Sequence, residues 1–393
     1  MPRERKQRAG TMMPDSGKLL DLAEQETGSF LNLLEKAVLL ESPTYGDKAA
    51  SDACGRFFQQ LFAGLGFRVR TFPQTECGDH FVAEYGEGDD ALMLVGHYDT
   101  VFPMGSLAAM PWKVADGKAY GPGAADMKGG LVLAWHAVRL MQKLRIPLRR
   151  KIILCVNADE EAGSPTSRAL MEEVARNSRY ALILEPGMQD YRGVKVSRLG
   201  RAAYTVKAHG RSSHSGLAPK DGASAVTELA HQVGELAALN DYDRNVLVSP
   251  TYFAAGNRRM SMIPGEGELE VEARAATLEE LARVATAIEG LQPKLAGMRL
   301  EITGGVNKQP LVFDAKNKAL FATVNALAEG LGFSLTRHAV GSGSDGNYTF
   351  NAGTPTLDGL GVIGALLHNP GEHLFVDHVP YRMALLVRIL AAL

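Results

Sequence analysis

The sequence predicts an α/β protein in which a mostly parallel sheet, covered by helices on both faces, is interrupted by a second, smaller domain. Continuous apolar runs alternate with segments of helical periodicity up to about residue 197, and the same alternation resumes after about residue 310. Between these regions the strand-like segments alternate apolar and polar residues instead. The chain has 393 residues, more than one hydrophobic core usually organises, so we expect two domains.

The first domain combines helical patterns with buried strands. Apolar residues at helical spacing predict helices at 17–40, 49–65, 127–144 and 169–175. Apolar or alternating runs predict strands at 67–72, 91–96, 151–156 and 180–184. Because strands and helices alternate along the chain, the sheet is expected to be mostly parallel.

The inserted segment has a β-α-β-β-α-β order, which is ferredoxin-like. Its predicted strands and helices are, in chain order, 201–209, 223–239, 251–255, 267–275, 278–295 and 299–303. The buried pattern then resumes with a helix at 319–331, an extended stretch at 355–357 and a closing helix at 379–390. The expected domains are therefore a disordered tail at 1–16, a first domain at 17–197 and 310–393, and a second domain at 198–309.

Composition narrows the classes of function. The formal net charge is −2 and charged residues make up 22%, so neither nucleic acid nor a membrane surface is the expected partner. Cys54, Cys77 and Cys155 are odd in number and far apart, which argues against a disulfide framework or a cysteine zinc site. No apolar run spans a bilayer, and no stretch resembles a signal peptide. We expect a cytoplasmic protein, with export left open.

The first buried strand ends in Gly96-His97-Tyr98-Asp99. In parallel sheets, chemistry collects at the carboxyl ends of strands. Asp99, two residues after His97, lies on the same side of an extended chain and suits the carboxylate that commonly orients a metal-bound histidine. A structural histidine–aspartate hydrogen bond is the alternative.

Two further segments place carboxylates in loops. Residues 121–130 surround Asp126 with glycines just before a predicted helix, which suits a metal ligand or an N-cap. Asp159, Glu160 and Glu161 follow the second buried strand, where adjacent carboxylates repel one another unless cations neutralise them. One glutamate can coordinate a metal while the other accepts a proton. A solvated acidic loop is the alternative.

The remaining candidates are Glu185, after the strand at 180–184, and His368 or His373 near the C-terminus. Each is also compatible with a structural role in a turn. Together the candidates supply imidazole and carboxylate groups without cysteine. Such a set fits zinc or, less selectively, cobalt or manganese.

Five ordered motifs resemble the successive signatures of the M20 metallopeptidases, from about Leu33 to the C-terminus. They are GHYDTV, YGPGAADMKGG, NADEEAGS, LEP and HNPGEH. The resemblance is closest to the glutamate carboxypeptidase (carboxypeptidase G2-like) branch. It implies a catalytic domain of the zinc-peptidase type.

The resemblance also implies two Zn²⁺ ions per subunit, with Co²⁺ or Mn²⁺ as substitutes. His97 and Glu185 would hold one ion, Glu161 and His368 would hold the other, and Asp126 would bridge them. His368 is preferred over His373 because the family pattern is a histidine, a short spacer and then a glutamate.

For catalysis, the resemblance implies that Glu160 is the general base and that Asp99 orients His97. The inserted segment resembles the family's lid or dimerisation domain, which implies a homodimer. Within it, the GRSSHSG motif resembles the one whose histidine, His214 here, helps to hold the oxyanion.

The substrate contacts depart more from the family pattern. The family usually has a substrate-contacting asparagine shortly before an Ile-Pro pair. In this sequence Ser261 and Met262 directly precede that pair, and Asn257 is the nearest asparagine before it. Arg274, or else Lys308, is the candidate for holding a substrate carboxylate. The glycine-rich loop with Gly343 and Ser344 is expected to bind substrate through backbone N–H groups.

The predicted reaction is therefore hydrolysis of an amide bond in a small peptide or N-acyl amino acid, with release of a C-terminal amino acid. An M20 aminopeptidase or dipeptidase is the first alternative. An inactive dimeric binding module is the second, and it would require a broken ligand set.

Overall fold

The computed structural model describes residues 13–256 and 258–393. Residues 1–12, most of the predicted tail, and Asn257 lie outside the described residues. The described helices are, in chain order, α1 (Ser16–Gln25), α2 (Thr27–Val38), α3 (Lys48–Gly64), α4 (Lys128–Leu144), α5 (Arg168–Arg176), α6 (Ala225–Ala237), α7 (Leu278–Glu289), α8 (Ala315–Glu329), α9 (Gly346–Asn351) and α10 (Val379–Ala392).

The strands of the described residues are β1 (Arg68–Phe72), β2 (His80–Tyr85), β3 (Ala91–His97), β4 (Lys113–Ala115), β5 (Lys118–Tyr120), β6 (Lys151–Asn157), β7 (Tyr180–Ile183), β8 (Gly193–Arg198), β9 (Gly200–His209), β10 (Ser213–His214), β11 (Val246–Ala255), β12 (Met262–Ile263), β13 (Glu266–Ala275), β14 (Arg299–Lys308), β15 (Thr336–Val340), β16 (Thr356–Leu357), β17 (Gly364–Ala365) and β18 (His373–Phe375).

The chain divides into two compact units. The first runs up to Val196 and also contains Phe313–Ala339 and Ser344–Leu393. The second contains Ser197–Val312 and Val340–Gly343. The sequence prediction assigned residues 340–343 to the first domain. Their membership of the second unit was not predicted, because this short segment has no distinct hydrophobic pattern.

The first unit is built on a sheet whose described strands run in the order β1-β2-β6-β3-β7-β16. β3 is parallel to β6 and β7, and β16 is parallel to β7. β1 and β2 are antiparallel at one side. Successive residues of β3 enter opposite cores, with Leu92 and Leu94 in one and Met93 and Val95 in the other. The predicted α/β class with a mostly parallel sheet is therefore confirmed.

Several elements of the first unit differ from the sequence prediction. The short strands β4, β5, β8, β15, β17 and β18 and the short helix α9 were not predicted. β2 was not predicted, because its buried run is short and follows a polar Cys-Gly-Asp turn. The single helix predicted at 17–40 is divided into α1 and α2 at Glu26. The buried carboxylate of Glu26 pairs with Arg139 and Lys143 on α4 at this junction.

The second unit contains an antiparallel sheet of order β11-β13-β9-β14. This is the strand order of a ferredoxin-like β-α-β-β-α-β fold, as predicted. Alternate residues of β9 are buried, so one face of the sheet forms a core with α6 and α7. β11 is longer than predicted and has an irregular register at Pro250, which cannot donate to a ladder.

Among the described helices of both units, none is both long and apolar enough to cross a membrane.

Candidate active site

The candidate ligands of the first unit follow the carboxyl ends of neighbouring parallel strands. His97 is the last residue of β3 and pairs in register with Asn157, the last residue of β6. Glu160 and Glu161 form a short 3-10 turn just after β6. Glu185 comes just after β7. Parallel pairing thus brings the residues that follow three separate apolar runs to one edge of the sheet.

One cluster contains His97, Asp126 and Glu185, all of which are buried. His97 Nε2 lies 3.5 Å from Asp126 Oδ1 and 3.4 Å from Glu185 Oε1. One candidate ligand atom from each residue lies within 4.8 Å of the other two. Such spacing suits three donors that point at one cation.

A second cluster contains Asp126, Glu161 and His368. His368 Nε2 lies 3.2 Å from Asp126 Oδ2 and 3.1 Å from Glu161 Oε2. The structure therefore brings together the five residues that the family resemblance implies as ligands. Asp126 belongs to both clusters, with Oδ1 facing His97 and Oδ2 facing His368.

The donors fit a metal. His97 Nε2 and Asp126 Oδ1 are buried and have no hydrogen-bond partner among the described residues. Buried polar atoms are normally hydrogen-bonded, so an orphaned pair needs another partner. The clusters consist of imidazole nitrogens and carboxylate oxygens, the ligands that zinc accepts in sites without cysteine.

The electrostatics of the clusters favour added positive charge. Burial raises the pKa of Glu161 to about 7, against a hydrogen bond from His368 that lowers it. Hydrogen bonds to Asp126 and Glu161 raise the pKa of His368 to about 11. Burial opposes protonation of His97, yet the nearby carboxylates of Asp126, Asp99 and Glu185 hold its pKa well above the usual range. Protons on the histidines thus balance carboxylates that a metal cation would otherwise balance.

Asp99 connects the histidine to the acidic turn. Its Oδ1 lies 3.2 Å from His97 Nδ1, which leaves Nε2 to face the cluster. Its carboxylate also accepts the backbone N–H groups of Glu160, at 3.3 Å, and Glu161, at 3.2 Å. The hydroxyl of Thr44 donates to it at 2.8 Å. Thr44 was not predicted, because a lone threonine in a loop carries no recognisable signal.

Glu372 supports the loop that carries Asp126. Its Oε1 accepts the backbone N–H groups of Ala125, at 3.0 Å, and Asp126, at 3.1 Å. Burial, with the nearby charge of Asp126, raises the pKa of Glu372 to about 8. From the sequence, this glutamate serves only to distinguish His368 from His373. Its position in the HNPGEH motif was the available signal.

The alternative ligand His373 belongs to neither cluster. Its Nδ1 donates to the carbonyl of Gly371 at 2.9 Å, and its ring packs against Tyr120. Glu160 also lies outside both clusters, although its neighbour Glu161 is in one. That separation suits a base beside a ligand.

In the second unit, His214 is exposed on β10 and its Nδ1 accepts the backbone N–H groups of Gly216 and Leu217. Neutral His214 therefore carries its proton on Nε2, as a donor. Arg274 donates to Glu272 at 2.6 Å and to the carbonyl of Gly341 at 2.9 Å, so its guanidinium already has partners.

The glycine-rich loop is held by internal hydrogen bonds. The carbonyl of Gly343 accepts from Arg198 at 3.0 Å. Ser344 is buried, its N–H donates to Asn347 and its hydroxyl donates to Asp358. Both donors of Ser344 are thus used within the protein. Asn257 lies outside the described residues.

Comparison with known proteins places this geometry in a family. Residues 93–392 match the model of peptidase family M20/M25/M40. Carboxypeptidase G2 of Pseudomonas sp. (strain RS-16) is 30% identical over 95% of this chain and 91% of its own. A succinyl-diaminopimelate desuccinylase of Thioalkalivibrio sulfidiphilus is 25% identical over 88% of this chain and 94% of its own.

Solved structures show the same fold. The crystal structure of a tripeptidase from Staphylococcus aureus aligns with a TM-score of 0.77 and covers 94% of this chain and 98% of its own, at 21% identity. Because the family model spans most of the sequence and the carboxypeptidase aligns with nearly all of it, the chain belongs to peptidase family M20/M25/M40, hydrolases that typically bind metal ions such as zinc.

Proposed function

We propose that this protein is a two-zinc hydrolase that cleaves an amide bond in a small peptide or N-acyl amino acid and releases a C-terminal amino acid. The observation that carries the proposal is the sharing of Asp126 between two ligand clusters. A carboxylate that offers one oxygen to each cluster suits a bridge between two cations. His97 and Glu185 would complete one site, and Glu161 and His368 the other.

The choice of substrate rests on the relatives. A carboxypeptidase aligns with 95% of the chain, and a desuccinylase with 88%. These names describe release of a C-terminal amino acid and removal of an N-succinyl group, and both reactions break an amide bond. An M20 fold alone does not choose among substrates.

When bound, the two zinc ions polarise the scissile carbonyl and lower the pKa of water towards about 7. Glu160 takes a proton from the attacking water as the water oxygen bonds to the carbonyl carbon. Glu160 then gives this proton to the leaving amine as the carbon–nitrogen bond breaks. We assign to His214 the donation of a hydrogen bond from Nε2 to the oxyanion. Asp99 holds His97 and the backbone of Glu160 in place throughout.

The replacement Glu160→Ala tests the base. We expect turnover to fall by about 10²- to 10⁴-fold, the usual contribution of a positioned acid–base group, while both zinc ions stay bound. Glu161→Ala is the matched control, since it removes a ligand from the adjacent position and is expected to lower zinc content as well. Turnover that persists in Glu160→Ala with both metals present would show that another group is the base.

A substrate panel tests the bond that is cleaved. N-acyl amino acids and dipeptides with a blocked N-terminus keep a free carboxylate on the released amino acid. Peptides with a blocked C-terminus keep only the free amine. We expect hydrolysis of the first set and not of the second. The reverse preference would identify an aminopeptidase, and no hydrolysis of either set by zinc-loaded protein would favour a binding module.

We also propose a homodimer formed through the second unit. β11 is an edge strand of the antiparallel sheet and carries two exposed aromatic side chains, Tyr252 and Phe253. Exposed sheet edges are ready templates for pairing with another strand. Sedimentation velocity measures the assembly. A single monomeric species at every concentration would contradict the proposal.

A further inference from the structure

The side chain of His80 contacts both ends of the segment that carries Glu160 and Glu161. His80 begins β2 and is buried, with an exposed fraction of 1%. Its Nδ1 accepts the backbone N–H of Ala158 at 3.2 Å, just before the acidic turn. Its Nε2 lies 2.8 Å from Thr166 Oγ1, just after the turn. One ring thus connects the two points between which the proposed base is held.

His80, Cys77 and Asp159 lie close enough for their ligand atoms to meet at one cation. The hydrogen bonds argue against a metal. A backbone N–H can only donate, so Nδ1 is the acceptor nitrogen of the ring, and Nε2 carries the proton. A histidine that binds a metal through Nε2 instead uses Nδ1 as a donor. Burial lowers the pKa of His80 against the raising effect of Asp159, so the ring is neutral at neutral pH.

The proton on Nε2 sets the direction of the next bond. Since His80 Nε2 donates to Thr166 Oγ1, the threonine hydroxyl hydrogen is left for Asp159 Oδ2, at 2.8 Å. The chain of donors therefore runs from His80 through Thr166 to Asp159. Thr166 is the middle group, since it accepts from His80 and donates to Asp159.

Asp159 is fully buried and stabilises the turn of Glu160 and Glu161 through several hydrogen bonds. Its carboxylate accepts the backbone N–H groups of Thr166, at 2.7 Å, and Ser167, at 3.2 Å, where α5 begins. Its carbonyl accepts the N–H groups of Ala162, at 3.2 Å, and Ser164, at 2.8 Å. Glu160 therefore lies in a loop whose two ends are tied to each other and, through His80, to β2.

We propose that His80 and Thr166 are positioning residues that hold Glu160 against the reacting water and the leaving amine. The inference rests on the proposed function, since it takes Glu160 as the base. Neither residue touches substrate or metal. Their effect reaches Glu160 through Ala158 and Asp159, the anchors at the ends of its loop.

The replacement Thr166→Val keeps the shape of the side chain and removes the hydroxyl, and Thr166→Ser is its matched control because it keeps the hydroxyl. In Thr166→Val we expect kcat to fall by about 10- to 100-fold, as for other supporting partners of active-site groups, with KM and zinc content unchanged. Thr166→Ser is expected to have the kcat of the unmodified protein. An undiminished kcat in Thr166→Val, or an equal loss in both variants, would overturn the proposal.

A double variant tests whether the two residues act through one link. Asparagine at position 80 can still accept from Ala158 but does not reach Thr166. We expect His80→Asn to lose less kcat than Thr166→Val, because the valine also removes the hydrogen bond to Asp159. The double variant is expected to lose no more than Thr166→Val alone, since that replacement already removes the bond to His80. Losses that multiply would show two independent effects and would overturn the shared link.

Hydrogen exchange separates failure of this inference from failure of the proposed function. If the unmodified protein hydrolyses no amide, the proposed function fails and kcat tests nothing further. Amide exchange in a peptide covering residues 158–166 still tests the link. We expect faster exchange in Thr166→Val than in Thr166→Ser. Equal exchange in the two variants would overturn the positioning role whether or not the protein is a hydrolase.

Discussion

The open sheet of the second unit and the candidate site of the first unit differ in how their charges are arranged. On the open sheet of the second unit, acids and bases stand opposite one another across β9 and β13. Lys207 lies 3.7 Å from Glu268, and His209 lies 2.8 Å from Glu266. In the first unit, Asp126, Glu161 and Glu185 converge with two histidines at the sheet edge. Side chains of opposite charge neutralise each other when they pair within the fold. Carboxylates that cluster repel one another, so they need a bound cation to neutralise them.

Burial also separates four of the histidines, although the proposed ligand His368 of the first unit is exposed. His97 and His136 are buried in the first unit, while His214 and His231 of the second unit are exposed. A buried imidazole has a perturbed pKa and a fixed partner, so it couples to metal binding or to stability. An exposed imidazole keeps its solvent contact and can donate to a ligand. The contrast predicts which substitutions act through metals, which through catalysis and which through folding.

The largest effect is expected from Asp126→Asn. An amide offers one oxygen instead of two and carries no charge, so both clusters are weakened at once. We expect loss of both zinc ions, measured by elemental analysis, and turnover below detection. Chelation of the unmodified protein is expected to have the same effect, reversed by added zinc.

Asp116→Asn is the control for Asp126→Asn. Asp116 lies in an exposed turn of the first unit, where asparagine tolerates the same positive φ of 53°. Zinc content and turnover should be unchanged. If Asp126→Asn retained one tightly bound ion with normal turnover, the shared carboxylate would not be a bridge.

The next effect is that of His214→Ala. Its Nε2 proton is fixed by the bonds that Nδ1 accepts from Gly216 and Leu217. Loss of one oxyanion donor typically lowers kcat by about 10²- to 10³-fold, and we expect that loss with both zinc ions retained. His231→Ala, an exposed histidine of the same unit, is the control. Equal kcat in the two variants would remove His214 from the proposed mechanism.

A smaller effect is expected on acid stability from His136. Burial lowers the pKa of His136 to about 4, from an ordinary value of 6.5. The unfolded chain therefore takes up a proton as the pH falls below 6.5, while the folded chain resists until about pH 4. Stability is fully present above pH 6.5 and is lost as the pH falls. The loss between pH 7 and pH 5 is about 2 kcal/mol.

His136→Gln removes this titration. Its free energy of unfolding, from urea titrations at pH 7 and pH 5, should depend on pH less than that of the unmodified protein, by the amount just given. His231→Gln makes the same replacement at an exposed histidine and is the control. Parallel pH profiles for the unmodified protein and His136→Gln would show that His136 is not the group that titrates.

The fold could be predicted from sequence where packing leaves a local pattern. β3, β6 and β7 are buried on both faces, so each appears in the sequence as a continuous apolar run. The ends of these runs also locate the polar residues that follow the strands. β2 and the return of the chain at Val340–Gly343 were missed, because short segments completed by distant partners have no periodicity of their own. The sequence therefore predicted the sheet edge where chemistry collects, but not every element that supports it.

The candidate site shows the same limit. Residue types indicated a metal, and the family resemblance indicated which residues to pair. Only the structure shows that Asp126 turns one oxygen to His97 and the other to His368. The supports were least predictable. Glu372 holds the backbone of Asp126 from 246 residues away, and His80 reaches Thr166 across 86. Hydrogen bonds of such long range have no local pattern of their own, so the HNPGEH motif was the one signal for Glu372 and His80 had none.

The smallest effect is expected where charges are already paired. Lys207 and Glu268 are partly exposed, so water screens their attraction and their flexible side chains lose entropy on pairing. We expect Glu268→Gln to change the free energy of unfolding by less than about 0.5 kcal/mol, with turnover and zinc content unaffected. Removal of a carboxylate is thus expected to leave zinc content and turnover unchanged on the open sheet and to abolish both at Asp126. A loss of zinc or turnover in Glu268→Gln would mean that the second unit's charges also serve the site, and the contrast between the units would no longer hold.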